Sequence, residues 1–182
     1  MKALIVCGGR RDGFTSVMCS SFAEGLASEG INSDIIYPIE MHIEHCNGCG
    51  SCSKSGKCVI DDDMSSIYDL FENADLFVPS SPVRFSGPSS VIKIVLDRFQ
   101  PYWYNGMPHP SNAAALINGG SPTPEFKNLL SVFKAFTITS KVKWSGDLTI
   151  SDTDSLSLDD VKGPSYNFGK DIAVMLKTDG PQ

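Results

Sequence analysis

Hydrophobic runs alternate with amphipathic segments along the chain, and this alternation predicts strands and helices in turn. Continuous apolar runs bounded by glycine or proline are typical of strands buried on both faces of a parallel sheet. We expect five strands, at residues 2–7, 31–37, 75–79, 113–117 and 137–144 with 148–150. Helices are expected between them at 15–30, 61–74, 91–104, 122–136 and 161–176, the last interrupted near 163–164. The pattern predicts one α/β domain over residues 1–182, in three layers with a doubly wound parallel sheet.

The acidic balance of the composition narrows the range of partners. The 182 residues include 21 Asp and Glu against 15 Lys and Arg, for a formal net charge of -6. Nucleic acid and anionic membrane surfaces do not attract such a chain. The first apolar stretch, residues 3–7, is too short for a signal peptide or a membrane span. The sequence therefore predicts a cytoplasmic protein without a membrane or nucleic-acid partner.

A glycine-rich loop follows the first predicted strand and leads into a helix. It contains Gly8, Gly9 and Gly13, and Thr15 and Ser16 open the helix. Backbone N–H groups in such a loop, together with the helix dipole, favour a bound anion, and a hydroxyl can add a donor. The order indicates a phosphate cradle, with a plain strand-to-helix turn as the alternative. The glycine register matches neither a P-loop nor the dinucleotide fingerprint.

Two further loops follow predicted strands and carry turn-forming residues. Residues 80–87 come after the third strand, and residues 118–121 come after the fourth. In an open α/β sheet, ligands bind outside the carboxyl ends of the strands. We therefore expect these two loops and the glycine-rich loop to face one pocket.

Three consecutive acidic residues, Asp61 to Asp63, precede the helix that follows the cysteines. A carboxylate at a helix N-terminus accepts hydrogen bonds from free amides and interacts favourably with the dipole. We therefore interpret this run as helix capping rather than as a metal site.

Four of the six cysteines lie within thirteen residues and are separated by glycines. They are Cys46, Cys49, Cys52 and Cys58. Because glycine permits sharp turns, the four thiolates can converge on one centre, and the spacing of the first three is that of cluster ligands in bacterial ferredoxins. An iron-sulfur cluster is favoured, with a metal-free remnant of such a site, a zinc site and disulfides as alternatives. Cys7 and Cys19 are expected to be core thiols.

Taken together, these motifs resemble those of the flavodoxin-like NAD(P)H-dependent FMN reductases, and within them the iron-sulfur flavoproteins. The resemblance covers about residues 2–120. Its motifs are Arg10-x2-Gly13-x-Thr15, Cys46-x2-Cys49-x2-Cys52-x5-Cys58, Ser81-Pro82-Val83-x-Phe85 and Ser90-x2-Lys93-x3-Asp97-Arg98. Two positions depart from the family: Gly8 stands where serine is common, and Arg84 stands where tyrosine is frequent.

The resemblance implies a flavodoxin-like fold with strand order 2-1-3-4-5 and FMN at the carboxyl ends of the strands. The residues that it implies for the FMN phosphate are Arg10, Gly13, Thr15 and Ser16. Those implied for the ribityl chain and the isoalloxazine are Ser81, Pro82, Val83, Arg84 and Phe85, and those for the polar edge of the ring are Asn118, Gly119 and Gly120. The four clustered cysteines would hold a [4Fe-4S] cluster.

The sequence thus predicts an FMN-dependent oxidoreductase that passes electrons between a reduced donor, a [4Fe-4S] cluster and FMN to a small acceptor. NAD(P)H is a candidate donor, and a ferredoxin is a candidate partner. The alternatives are an NAD(P)H-dependent FMN or quinone reductase without a cluster, and a flavodoxin-like electron carrier. The aromatic run at 101–104 predicts a subunit interface, in line with the homodimers or homotetramers of the iron-sulfur members.

Overall fold

The computed structural model describes residues 1–178, so the last four residues of the predicted domain lie outside it. Within the described part, five parallel strands form one sheet in the order β2-β1-β3-β4-β5. The strands are β1 Lys2–Cys7, β2 Asn32–Ile36, β3 Leu76–Pro82, β4 Asn112–Asn118 and β5 Lys143–Ile150. This order confirms the flavodoxin-like sheet that the resemblance implied.

Helices cover both faces of the sheet. They are α1 Phe14–Ser28, a short 3-10 helix Pro38–Glu40, α2 Ser51–Ser55, α3 Met64–Glu72, α4 Ser90–Arg98, α5 Gln100–Asn105, α6 Lys127–Thr139 and α7 Lys162–Thr178. Because successive strand residues point to opposite sides, Leu4 and Val6 of β1 pack beneath α3, α4 and α6, whereas Ile5 packs beneath α1 and α7. The three predicted layers are confirmed. None of the helices within residues 1–178 is both long enough and apolar enough to span a bilayer.

Helices α1 and α7 cross at two glycines. A Cβ atom added to Gly25 would lie 2.1 Å from the carbonyl oxygen of Tyr166, and one added to Gly169 would lie 2.3 Å from that of Phe22. The two backbones therefore touch directly. Since α1 begins at the glycine-rich loop, this contact helps to position that loop.

The helix expected at 91–104 is two helices, α4 and α5, that meet at Phe99. Pro101 lies in the first turn of α5. Proline lacks a backbone N–H and clashes with the preceding turn, so a continuous helix cannot pass through this position. The break matters because it leaves the end of α4 beside the cysteine loop.

Other boundaries also differ from the sequence-based expectation, and α6 begins at Lys127 rather than at residue 122. Residues 137–139 end α6 instead of starting a strand, because Leu129, Phe133 and Thr137 recur at helical spacing on its buried face. The last helix is continuous, since Pro164 falls in its first turn, where proline is tolerated. Strand β3 runs on to Pro82, because its end pairs with Asn118 of β4.

Candidate functional site

The glycine-rich loop connects β1 to α1 and is held by close contacts. A Cβ atom added to Gly9 would lie 2.7 Å from the Cβ of Thr15. A Cβ added to Gly8 would lie 2.8 Å from the carbonyl oxygen of Ser80 and 2.9 Å from the Oγ of Ser89. The serine that the family commonly has at position 8 therefore has no room here. Helix α1 has no acidic residue in its first turn, and no side chain caps it, which suits an anion at this end.

A cavity of about 730 Å³ lies at the carboxyl ends of the strands. Eight of the twelve residues predicted for the FMN site line it: Arg10, Gly13, Thr15, Pro82, Arg84, Phe85, Asn118 and Gly120. The Oγ1 of Thr15 donates a hydrogen bond of 2.7 Å to the Oδ1 of Asn118 and so joins the first loop to the third. The three loops expected to face one pocket do so.

Two arginines give this cavity positive charge. Among residues 1–178, neither Arg10 nor Arg84 forms an ion pair, and the Nη1 of Arg84 bonds only the carbonyl oxygen of Val83, at 3.1 Å. An arginine without a carboxylate partner is available to a phosphate or another anionic group. The charge of the cavity therefore matches the phosphate end of FMN.

The other four predicted residues lie behind the lining of the cavity. The hydroxyl of Ser16 bonds that of Tyr37 at 2.9 Å. The Oγ of Ser81 accepts a hydrogen bond from the N–H of Ser89 at 2.9 Å, and Val83 packs against the core. A Cβ at Gly119 would lie 2.4 Å from Pro124. In this arrangement the four support the walls, and their contact with FMN stays a prediction.

A fourth loop, after β5, also reaches the cavity and was missed from the sequence. Thr153 and Asp154 line the cavity, and their backbone N–H groups each donate to a carbonyl oxygen of the third loop at 3.1 Å. The carboxylate of Asp154 lies against Gly120, where an added Cβ would be 2.7 Å from both oxygens. The carboxyl end of the fifth strand was the available signal, but no glycine marks it.

A tight turn at the rim of the cavity exposes an aromatic side chain. Arg84 and Gly87 exchange two backbone hydrogen bonds of 2.8 and 2.9 Å. Phe85 and Ser86, between them, both have positive φ, at 48° and 63°. Such a turn favours asparagine and glycine, and the left-handed region costs other residues about 1–2 kcal/mol each. The ring of Phe85 is fully exposed beside the opening.

The four clustered cysteines line a second cavity, of about 140 Å³. Gly50 and Gly56, with φ of 72° and 73°, flank the short helix α2 that carries Cys52. Hydrogen bonds from Ser51 lower the pKa of Cys49. Burial, followed by the charges of the other three cysteines, raises the pKa of Cys52. The thiols thus converge and influence one another.

The spacing of these thiols matters for the group that they can bind. Within residues 1–178, no three His, Cys, Asp or Glu side chains lie close enough to share a single metal ion. In a [4Fe-4S] cluster each thiolate binds a different iron, so the ligands lie farther apart than those of one ion. Four thiols that line one cavity without converging on a single ion position within residues 1–178 fit a cubane cluster better than a lone zinc ion.

A buried ion pair closes the stem of the cysteine loop. The side chains of Arg98 and Asp62 are 1% and 0% exposed, and the Nη2 of Arg98 lies 3.0 Å from the Oδ1 of Asp62. The Nη1 of Arg98 also donates to the carbonyl oxygen of Glu44 at 2.7 Å, and the N–H of Glu44 donates to Asp62 at 2.9 Å. Residue 44 precedes the cysteine run and residue 62 follows it, so this network joins the two ends.

The expectation that Asp61 to Asp63 cap a helix is met in part, by Asp62, and the network gives Asp62 and Asp63 further partners. Asp63 occupies the N-cap position of α3 without a side-chain capping bond, and its carboxylate instead accepts the N–H of His42 at 2.7 Å. Asp62 does accept the N–H of Met64, at 3.1 Å, but its main partner is Arg98. Burial raises the pKa of Asp62, yet hydrogen bonds from Arg98 and the two amides outweigh burial and lower it overall.

Helix α4 spans the distance between the two cavities. Ser90 and Val91 at its start line the larger cavity, and Arg98 at its end lines the cysteine cavity. At 1.5 Å per residue, Val91 and Arg98 are about 10 Å apart along the helix axis. The two sites are therefore neighbours on one rigid element.

Two relatives are similar to this chain over about half its length. An iron-sulfur flavoprotein of Methanocaldococcus jannaschii is 33% identical over 102 residues, which are 56% of this chain and 53% of the relative. An iron-sulfur flavoprotein of Archaeoglobus fulgidus is 32% identical over 103 residues, 56% of this chain and 47% of the relative. The chain thus spans about half the length of the curated relatives that it matches.

Solved structures share the fold over nearly the whole chain. A flavone reductase has a TM-score of 0.73 at 21% identity, covering 97% of this chain and 63% of the other. An NAD(P)H:quinone oxidoreductase from Methanothermobacter marburgensis has a TM-score of 0.70 at 13% identity, covering 94% and 96%. At such low identity the likeness establishes the fold alone.

The sequence model of the NADPH-dependent FMN reductase family matches residues 1–147. This range includes the glycine-rich loop, the cysteine run and the next two loops at the strand ends. It stops before Thr153 and Asp154, the part of the cavity that the motifs did not reveal. The resemblance drawn from the motifs is confirmed, and the chain belongs to the NADPH-dependent FMN reductase family.

Proposed function

We propose that this protein is an FMN-dependent oxidoreductase that holds FMN in the larger cavity and a [4Fe-4S] cluster among its four clustered cysteines. The observation that carries the proposal is the proximity of the two cavities along α4. When bound, FMN accepts two electrons as a hydride and releases them singly, whereas a cubane cluster carries one at a time. A protein that keeps the two close can therefore convert two-electron into one-electron transfer.

The residues of the larger cavity would divide the binding of FMN among them. Arg10, Thr15 and the backbone near Gly13 would hold the phosphate at the start of α1. Arg84 and Phe85, on the rim, would face the isoalloxazine. The carboxylate of Asp154 would accept hydrogen bonds from polar hydrogens of the ribityl chain or the ring. This division follows from the position of Arg10 on the loop that starts α1 and of Arg84 and Asp154 on later loops.

The cysteines would hold the cluster at the end of α4. All four line one cavity, and two of them, Cys46 and Cys49, are exposed at its mouth. The residues of α4 that line the two cavities, Val91 and Arg98, lie about 10 Å apart along the helix axis, which would place a flavin and a cluster near each other for electron transfer. NAD(P)H is the proposed donor, and a small molecule or a ferredoxin is the proposed acceptor.

A second candidate is an NAD(P)H-dependent FMN or quinone reductase without a cluster. The open position of Cys46 and Cys49 is the observation in its favour, because solvent access promotes cluster loss and thiol oxidation. In either case we propose a homodimer or homotetramer. Trp103 and Tyr104 are 61% and 53% exposed, and large aromatic side chains of this kind are frequent at subunit interfaces.

Measurement of iron, acid-labile sulfide and FMN on anaerobically purified protein tests the proposal. We expect one FMN per chain and one cluster after reconstitution with iron and sulfide. Each Cys→Ser change within the run should remove the broad iron-sulfur absorption and leave FMN bound. The matched controls are Cys7→Ser and Cys19→Ser, since both residues are buried in the core away from the run. If the wild-type protein binds less than about half a cluster per chain, the cluster site is rejected and the cluster-free reductase is the remaining candidate.

A further inference from the structure

The guanidinium of Arg98 has a donor that the rest of the structure does not use. Its Nη1 and Nη2 donate to Glu44, Ile60 and Asp62. Its Nε has no hydrogen-bond partner among residues 1–178, although the side chain is only 1% exposed. A buried unpaired N–H is costly, and native proteins seldom retain one without a reason.

The position of this donor points to the cysteine cavity. Arg98 lines that cavity together with all four cysteines. Arg98, the only Lys, Arg or His within residues 1–178 that lines this cavity, therefore lies beside the four cysteine thiols.

We propose that Arg98 is a positioning residue for the cluster, with two separable actions. Through Asp62 and Glu44 it closes the stem of the loop before a cluster is present. Through its Nε–H it donates a hydrogen bond to a thiolate or cluster sulfur. Because reduction adds negative charge to a cluster, such a donor stabilises the reduced form and raises the reduction potential. The proposal rests on the [4Fe-4S] site proposed above, except for the action on the stem.

Two substitutions separate these actions. Arg98→Lys keeps a cation that can pair with Asp62 but lacks the Nε–H, whereas Arg98→Met lacks both. The matched control is Lys93→Met, which removes a cation from the exposed face of the same helix, where it pairs with Asp97. If the reduction potential of the cluster shifts in Arg98→Lys but not in Lys93→Met, the shift is caused by the lost Nε–H donor and not by a change of charge.

The stem is tested in the cluster-free protein, so this measurement does not depend on the proposed function. Hydrogen exchange of the Glu44 and Met64 amides, which donate to Asp62, reports whether the stem is closed. We expect at least tenfold faster exchange in Arg98→Met, and exchange close to wild type in Arg98→Lys and Lys93→Met. Unchanged exchange in Arg98→Met overturns the stem action. Failure of the wild type to bind a cluster overturns the proposed function and leaves this result standing.

The donor is tested in the reconstituted protein by redox titration followed by electron paramagnetic resonance. We expect the cluster of Arg98→Lys to be harder to reduce by about tenfold in the equilibrium constant, which is about 59 mV for one electron. A wild-type potential in this variant overturns the donor action. A measurement without any substitution guards against misfolded variants: wild-type protein labelled with ¹⁵N at arginine Nε should show a ¹⁵N hyperfine coupling to the reduced cluster, and its absence overturns the same action.

Discussion

The two cavities are built by different means. The larger cavity lies where four strands of the sheet end, and its walls are loops fixed by backbone hydrogen bonds that the N–H groups of Gly8, Thr153 and Asp154 donate. The cysteine cavity lies off the sheet and is enclosed by residues 46–60 together with the end of α4 and α5. The first therefore takes its shape from the fold, whereas the second depends on a few side chains.

Those few side chains can be named. Arg98 and Asp62 close the stem, and the Nδ2 of Asn105 donates to the carbonyl oxygen of Cys52 at 2.9 Å. In the larger cavity the corresponding contact is the hydrogen bond from Thr15 to Asn118. It joins α1 to β4, two elements whose positions the sheet already fixes. We therefore expect one substitution to damage the cysteine site severely, while single changes near the larger cavity have graded effects.

The largest effect is expected from Asp62→Asn. The change leaves the buried guanidinium of Arg98 without a charged partner, and loss of one member of a buried ion pair costs about 3–5 kcal/mol. Urea unfolding should show a fall of that size in the free energy of unfolding. Asp63→Asn is the matched control, because Asp63 belongs to the same turn but forms no ion pair within the described residues 1–178. If the free energy of unfolding falls equally in the two variants, the ion pair between Arg98 and Asp62 is not the cause of the loss.

Acid should reproduce part of that loss in the wild type. The pKa of Asp62 is lowered in the folded protein from its ordinary value of 3.8. Its contribution to stability is therefore fully present above that value and is lost as the pH falls through the folded pKa. Stability measured against pH should lose this acid-sensitive component in Asp62→Asn. If Asp62→Asn loses as much stability at low pH as the wild type, other carboxylates are responsible for that loss.

The next effect is expected from Gly8→Ser, which introduces the residue common in the family. Its Cβ would lie 2.8 Å from the backbone oxygen of Ser80, so the end of the central strand β3 or the loop has to move. Overpacking of this kind costs about 1–3 kcal/mol. Gly163→Ala is the control, since no described atom lies within 4 Å of an added Cβ there. Thermal unfolding should separate the two, and a stable Gly8→Ser protein with tighter FMN binding would contradict the steric argument.

A smaller effect is expected from Thr15→Val on FMN affinity. The change removes the hydroxyl that now bonds Asn118 and that would serve the phosphate. We expect the dissociation constant of FMN to rise about tenfold, equivalent to about 1.4 kcal/mol. Thr15→Ser keeps the hydroxyl and should bind nearly as well. Fluorescence titration of the apoprotein measures both, and equal affinities would remove Thr15 from the phosphate site.

The smallest effect is a gain in stability from Ser86→Gly. Ser86 has a φ of 63°, which glycine adopts without strain. After allowance for the greater freedom of glycine in the unfolded chain, we expect the free energy of unfolding to rise by about 0.5–1 kcal/mol. Gly87→Ala, at the next position of the turn, has ordinary φ and should change little. A loss of stability in Ser86→Gly would mean that the turn is not strained.

The two cavities also differ in how much of each could be predicted from the sequence. The sheet order and the three loops of the larger cavity follow from local patterns, namely apolar runs and the glycines after them. The fourth loop has no such mark, so Asp154 was missed although the end of its strand was expected correctly at residue 150. The pair of Arg98 and Asp62 joins residues 36 positions apart, and each alone reads as an ordinary charge at a helix end. Only tertiary packing brings these two into one buried site.

The crossing of α1 and α7 limits which sequences this fold accepts. Gly25 and Gly169 bring the two backbones into contact, and any side chain at either position would have to separate the helices. A library of variants should therefore retain glycine at both sites even though neither faces a cavity. Because α1 starts at the glycine-rich loop, a bulkier residue on α7 would shift one wall of the larger cavity from the far end of the chain. Although they are far apart in sequence, the same helix contact limits which residues both positions accept.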